Sequence, residues 1–296
     1  MQRILITGAS GFLGWNLARS LSGTCELWGT FASHPVDIPG CLMERLDLEG
    51  AGDLTALVRR VRPAAVLHAA ALVDVDLCER EPARARRLNV EAVGRIAEAA
   101  AEIGARLVYF SSDMVFDGTK GMYTEEDEPS PISVYGETKL EGERLALRTA
   151  SSNVVARLSL MYGAGPAPHS SFLGWMRGRL EKGETVNLFT DQYRTPLYVR
   201  DACRAIGRIL ARPEARGVYH LAGPERMNRY ELGRLAAAVF GFPERLLNPV
   251  RMDEMQGLMP RPKDNSMDNR KAARELGMQF TKAADGLGAV AREAAG

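Results

Sequence analysis

The chain opens on a short apolar run, Arg3-Ile4-Leu5-Ile6-Thr7, that gives way at once to glycines at positions 8, 11 and 14. The run reads as a buried strand, and Phe12 to Leu21 reads as the helix that follows it. A strand that becomes a helix through Gly8-Ala9-Ser10-Gly11-Phe12-Leu13-Gly14 leaves few folds open. The turn needs residues without a side-chain penalty, and the helix start presents unpaired N–H donors with a partial positive charge. Such a loop lets a pyrophosphate approach the backbone closely. Gly8, Ser10, Gly11, Phe12, Leu13 and Gly14 are therefore candidate dinucleotide contacts.

The first half of the chain repeats this alternation. Strand-like segments at Cys25 to Phe31, Ala65 to Ala69, Leu107 to Ser111 and Val154 to Arg157 are interleaved with helical stretches at Leu54 to Val61 and Ala83 to Ile103. Right-handed crossovers and a doubly wound parallel sheet of the Rossmann type, an α/β fold, are expected. The Gly/Pro/Ser-rich stretch Gly163 to Ser171 reads as a junction. The predicted organisation is a dinucleotide-binding domain over 1–162 and a smaller α-rich, mainly substrate-binding lobe over 163–296. Within the latter, about 196–222 returns to the sheet, with Gly217 to Ala222 as a strand, while Arg229 to Phe240 and Asp268 to Leu276 form helices.

Composition narrows the function. With 296 residues, 46% of them hydrophobic, the chain can fill a substantial core, and a net charge of +1 with interspersed signs lacks the field of a nucleic-acid binder. The thirty-two arginines do not cluster and read as compositional bias. Cys25, Cys41, Cys78 and Cys203 have no metal or disulfide spacing and are expected to be reduced thiols. No apolar run is long enough for a membrane span and no leader pattern is present. A cytoplasmic protein with a small-molecule substrate, no nucleic-acid or membrane partner and no metal is expected; a homodimer is compatible with this. The acidic run Glu125, Glu126, Asp127 and Glu128 reads as a solvated loop.

Further cofactor positions follow from the same geometry. Leu46-Asp47-Leu48 is expected to end the third strand, where Asp47 either accepts from an adenine amino group or starts a helix, with Leu48 beside it. Ala69, Ala70 and Ala71 follow the fourth strand, and their small side chains let a cofactor lie against the backbone; His68 before them reads as a packed residue. The end of the second strand, Gly29 to His34, carries no acidic residue for the adenosine ribose. Ser33 and His34 can instead hydrogen-bond a 2′-phosphate, which favours NADP(H) over NAD(H).

Tyr135 and Lys139 lie four residues apart in Val134-Tyr135-Gly136-Glu137-Thr138-Lys139, one helical turn from each other on one face. A tyrosine can protonate a carbonyl oxygen, and a nearby ammonium lowers its pKa toward the working range. Lys139 also offers donors to a nicotinamide ribose. The fifth strand runs out at Ser111-Ser112-Asp113, which places Ser112 to polarise a substrate carbonyl. Asp113 either accepts from a substrate hydroxyl or holds its loop.

Together GASGFLG, HAAA, FSSD, YGETK and Asn89 resemble the extended short-chain dehydrogenase/reductases. Ser111 to Thr119, Tyr123 to Asp127, Asp191 to Pro196, His220 to Gly223 and Arg261 to Asn265 are similar to the dTDP-4-dehydrorhamnose reductase family over nearly the whole chain. The resemblance implies reduction of a 4-keto carbon on a nucleotide-linked deoxysugar. Tyr135 is then the acid, Lys139 its tuner and Ser112 the polariser, with Asp113, Met114, Leu160, Arg194, Arg261 and Asn265 on the substrate side. Met114 and Leu160 depart from the family, which usually carries Tyr and Trp there. The same segments resemble the regulatory beta subunit of methionine adenosyltransferase, which implies the alternative of a cofactor-binding partner protein. Other sugar-nucleotide chemistry is the third reading, though dehydratases of this type place Glu where Met114 stands.

Overall fold

The computed structural model describes residues 2–49, 54–167, 171–257 and 259–295. Seven strands form one sheet: β1 (Arg3–Thr7), β2 (Glu26–Phe31), β3 (Cys41–Arg45), β4 (Ala65–His68), β5 (Arg106–Ser112), β6 (Val154–Leu158) and, much later, β11 (Gly217–Leu221). Their spatial order is β11-β6-β5-β4-β1-β2-β3, and every pairing is parallel. The order reverses between β1 and β4, which opens a crevice beyond the carboxyl ends of the strands. Central strands are buried on both faces and so read as continuous apolar runs.

Helices cover both faces. α1 (Phe12–Leu21), α8 (Val199–Leu210) and α10 (Arg270–Leu276) pack on one side, where Leu17, Ile206 and Leu276 meet Ile6, Val108 and Ala156. α2 (Leu54–Val61), α5 (Ala92–Glu102) and α6 (Val134–Thr149) pack on the other, with Val58, Ile96 and Ala146 against Leu5, Val66 and Leu107. The helix expected over Ala83 to Ile103 is interrupted: α4 (Pro82–Arg86) and α5 are joined by a π-helical turn, Arg87–Glu91. α3 (Val75–Arg80) precedes it.

A separate core forms from α7 (Phe172–Leu180), β8 (Val186–Phe189), α9 (Arg229–Phe240), β13 (Leu247–Val250) and α11 (Ala283–Ala295), through Met176, Leu188, Leu232, Leu247 and Leu287. β8 and β13 pair with each other. Two further small pairs, β7 (Met161–Tyr162) with β10 (Leu197–Tyr198) and β9 (Tyr193–Arg194) with β12 (Met227–Asn228), stitch this lobe to the sheet edge. Helix α9 starts at a reciprocal cap between Asn228 and Glu231 and stops at Gly241, whose φ of 75° is left-handed. No helix among the described residues is long and apolar enough to cross a membrane.

Candidate functional site

At the β1–α1 turn, Gly8 has φ of 68° and a Cβ there would stand 2.8 Å from the backbone of Ala70. A Cβ on Gly14 would strike the Gly8 carbonyl. The turn is thus closed to side chains, and α1 begins at Gly11 with no side chain capping its free N–H groups. Gly8, Gly11, Phe12, Leu13 and Gly14 wall one end of a cleft of about 460 Å³, joined by Ala69 and Ala71. An uncapped helix start facing a glycine-lined wall fits the pyrophosphate of a dinucleotide.

Six expected cofactor residues do not line this cleft. Ser10 is half-buried outside the lining. Ala70 spends its N–H on Thr7 Oγ1 at 3.4 Å. Strand β3 stops at Arg45, before the Leu46-Asp47-Leu48 segment expected to end it; Asp47 is exposed and its carboxylate accepts from Glu49 N at 3.0 Å. Leu48 is buried, its carbonyl held by Arg95 at 3.0 Å. Ser33 and His34 are exposed beyond β2 and bond each other at 2.8 Å. His68 is packed as expected, 2.7 Å from Thr7 Oγ1, and burial drops its imidazole to about 3.

The middle of the cleft holds Ser112, Tyr135 and Lys139. Ser133 caps α6 by accepting from Gly136 N at 3.2 Å, which fixes the turn carrying Tyr135. Ser112 stands at the end of β5, its hydroxyl bonded to the Tyr135 phenol. Burial pushes that phenol above its ordinary value; Ser112 opposes this, and Asp113 and Cys78 reinforce it. The expected lowering of Tyr135 by Lys139 is therefore not found: burial dominates, and only the hydrogen bond with Ser112 works against it. Lys139 is itself lowered to about 7 by burial, with Glu143 pulling the other way. Its Nζ lies 4.3 Å over the Tyr109 ring.

Asn89, in the π-helical turn, ties this region together. It accepts from Leu72 N at 2.8 Å and donates to Leu72 O at 3.0 Å and Thr138 Oγ1 at 3.1 Å. The loop after β4 and the helix bearing Lys139 are thus held in one register.

The far end of the cleft is cationic. Arg194 is 3% exposed and lies 3.4 Å from Asp113 Oδ2, while Asp113 also accepts from Ser159 Oγ and Ser112 Oγ, each at 3.3 Å. Burial raises the Asp113 carboxyl, and Arg194 and Arg229 counter it. Asp113 lines the cleft and also holds Arg194. Arg261 joins the wall from a bond of 2.8 Å to Asp76. Met114 and Leu160 line the same region and leave it apolar on one side. Asn265 does not line it: fully buried, it donates to the carbonyls of Asp113 at 2.7 Å and Phe116 at 3.3 Å. Its place is behind the Ser112–Asp113 turn.

The RmlD substrate binding domain family matches residues 1–295. The chain belongs to that family. Methionine adenosyltransferase 2 subunit beta of Xenopus tropicalis is 33% identical over 282 residues, which cover 91% of this chain and 81% of the relative. Among solved structures, a hypothetical dTDP-4-dehydrorhamnose reductase from Sulfolobus tokodaii is 37% identical with a TM-score of 0.84, covering 96% of this chain and 99% of that one. The dTDP-4-dehydrorhamnose reductase of Bacillus anthracis, solved in complex with NADP, is 25% identical with a TM-score of 0.85, covering 99% and 100%.

This RmlD-family chain also holds groups that sequence reading missed. Arg229 lines the cleft from the start of α9; its Nε donates to Gln192 Oε1 at 2.9 Å, and its buried Nη1 has no hydrogen-bond partner among the described residues. Burial, joined by the charges of Arg194 and Arg261 and opposed by Asp113, lowers Arg229 to about 9. Behind the cleft, Arg157 forms a buried two-armed pair with Glu143 at 2.9 and 2.7 Å, and Ser111 Oγ adds 2.5 Å to the same carboxylate. Glu143 lies one turn beyond Lys139, so this pair ties α6 to β5 and β6. The acidic run is not uniformly solvated: Glu125 accepts from His220 N at 2.8 Å and Asp127 pairs with Lys120, which leaves Glu126 and Glu128 exposed.

Proposed function

We propose that the protein is an NAD(P)H-dependent reductase of a keto group on a nucleotide-linked deoxysugar. The observation that carries this is one cleft with three chemically distinct stations: the glycine wall, the Ser112–Tyr135–Lys139 group, and the arginines 194, 229 and 261. Gly8, Gly11, Gly14 and the start of α1 would hold the pyrophosphate, and Lys139 a ribose hydroxyl. The reduced nicotinamide, when bound, supplies the two electrons and the hydrogen. Ser112 donates to the substrate carbonyl and raises its electrophilicity. The Tyr135 phenol, kept protonated by burial, delivers its proton to that oxygen as it becomes an alkoxide. Lys139 restores a proton to the site from its near-neutral range. The arginines, with an unpaired Nη1 on Arg229, suit a diphosphate. The same reading assigns the cofactor-side lobe to 1–162 and the substrate lobe to 163–296 apart from β11 and its approach.

Steady-state oxidation of NADPH by the purified protein, across a panel of 4-keto nucleotide sugars, tests the proposal. Turnover of one or more is expected, and no turnover with any would overturn it.

The identity to methionine adenosyltransferase subunit beta favours a second reading, a cofactor-binding partner of that enzyme. Co-elution with a methionine adenosyltransferase catalytic subunit in size-exclusion chromatography, without any reductase turnover, would replace the first reading by the second.

A further inference from the structure

Arg261 stands where two hollows meet. It lines the cationic end of the cleft and also an outer groove shared with Asp117, Asp191 and Asp264. Its backbone is fixed by β9: the Pro262 carbonyl accepts from Arg194 at 3.4 Å, and the Lys263 carbonyl from Tyr193 N at 2.6 Å. The side chain is left to choose between the hollows, and charge opposes the cleft. Arg194 and Arg229 repel it there, and both of them are lowered by burial first and by the charge of Arg261 as well. On the outer side three carboxylates attract it.

One bond holds the guanidinium against that balance. Arg261 Nη2 donates to Asp76 Oδ1 at 2.8 Å, across 185 positions of chain. Among the described residues this is the side chain's one hydrogen bond and one ion pair. Asp76 lies in α3 beside Val75, which lines the cleft. The helix is a firm mount. Asp74 caps it by accepting from Leu77 N at 2.9 Å, Cys78 is buried against Met114 and Tyr135, and Glu79 accepts from Val134 N at 2.7 Å, where α6 starts. A guanidinium carries five N–H donors, so one edge can rest on a carboxylate while the others face the cleft.

Given the diphosphate proposed above for this end of the cleft, we infer that Asp76 is a positioning residue for it: Asp76 holds Arg261 over the cleft and away from the outer groove, so that the arginine meets the ligand already oriented. A preset cation spares the ligand the cost of ordering a long side chain, and its loss is felt in affinity rather than in the chemical step. Asp76 is itself an anion, and its removal at long range favours an incoming diphosphate. Weaker binding in spite of that is the mark of positioning.

Isothermal titration of dTDP and of UDP into the wild type, Asp76→Asn, Arg261→Leu and the double variant tests this without turnover. NADPH binding and thermal unfolding check the fold; Asp76 is 40% exposed and asparagine matches its shape, so the variant is expected to fold. The wild type is expected to bind at least one of the two nucleotides. Asp76→Asn should weaken that ligand by roughly tenfold and leave NADPH within about twofold. Arg261→Leu should weaken it at least as much, and the double variant should match Arg261→Leu within about twofold, because the carboxylate acts only through the arginine. With a nucleotide sugar that turns over, Asp76→Asn should raise KM by roughly tenfold while kcat stays within about threefold. Unchanged or tighter nucleotide binding by Asp76→Asn, losses that multiply in the double variant, or a fall in kcat at unchanged KM would overturn the role of Asp76. Binding of neither nucleotide by the wild type would overturn the diphosphate assignment along with it, while the reductase reading stands or falls on the turnover panel.

Discussion

Lys139 Nζ stands 4.3 Å above the centre of the Tyr109 ring, in a site where both side chains are buried. The aromatic face and Glu143 compensate only part of the lost hydration, which leaves the lysine at about 7 instead of 10.5.

This makes Lys139 a measurable burden on folding. Between about pH 7 and 10.5 the unfolded chain carries a proton on this lysine that the folded chain does not. The unfolded state then binds more protons, so stability rises with pH across that window, and the full penalty applies below it. Urea unfolding of the cofactor-free protein is expected to show a contribution of at most about 1.4 kcal/mol per pH unit that disappears in Lys139→Met. An unchanged pH slope in the variant would contradict the burial of a charged Lys139.

Tyr135→Phe removes the one proton that the site can deliver to a substrate oxygen. A general acid contributes on the order of 10²–10⁴ in rate. Stopped-flow turnover should fall by that amount, while NADPH affinity stays within about twofold because Lys139 and the glycine wall are intact.

Arg229→Leu takes away a buried cation whose Nη1 has no hydrogen-bond partner among the described residues. KM for the nucleotide sugar is expected to rise by about tenfold or more, with a smaller change in kcat, since the lost contact acts on a non-reacting part of the substrate. A fall in kcat with unchanged KM would place Arg229 at the reacting centre instead.

Glu143→Gln leaves Arg157 as a buried charge facing a neutral amide. With side chains only 3% and 5% exposed, the pair should show the cost of breaking a buried ion pair, about 3–5 kcal/mol by urea unfolding. The double variant Glu143→Leu/Arg157→Met removes both charges and should recover much of that loss. Failure of the double variant to recover would mean that the hydrogen bond from Ser111, which a glutamine oxygen still accepts but leucine cannot, dominates.

Local patterns carried most of the fold. Leu54–Val61 and Arg229–Phe240 fall where apolar spacing puts them, and β1 and its glycines announce the crevice. Strand β3 was harder, because Cys41–Arg45 lies at the sheet edge, half-exposed, where no periodic pattern marks its end. That is why the strand end is read at Leu46 to Leu48 and not at Arg45. Tyr135, Lys139 and Ser112 were legible because their spacing is set within one helix and one strand end. Arg229 and Asn265 depend on contacts across long stretches of chain, such as Asn265 to Asp113 over 152 positions, which spacing does not encode. The pKa relation of Tyr135 and Lys139 was legible in kind but not in sign, since burial is a property of the packed cleft.

The most direct test follows hydrogen from cofactor to sugar. NADPH carrying deuterium at the nicotinamide C4 is incubated with a 4-keto nucleotide sugar and the protein, and the product is weighed by mass spectrometry. A product heavier by one deuterium, formed by the wild type and formed by Tyr135→Phe at a rate lower by about 10²–10⁴, is the predicted result; an unreduced keto sugar after incubation with the wild type, or labelling at equal rates by both proteins, would contradict it.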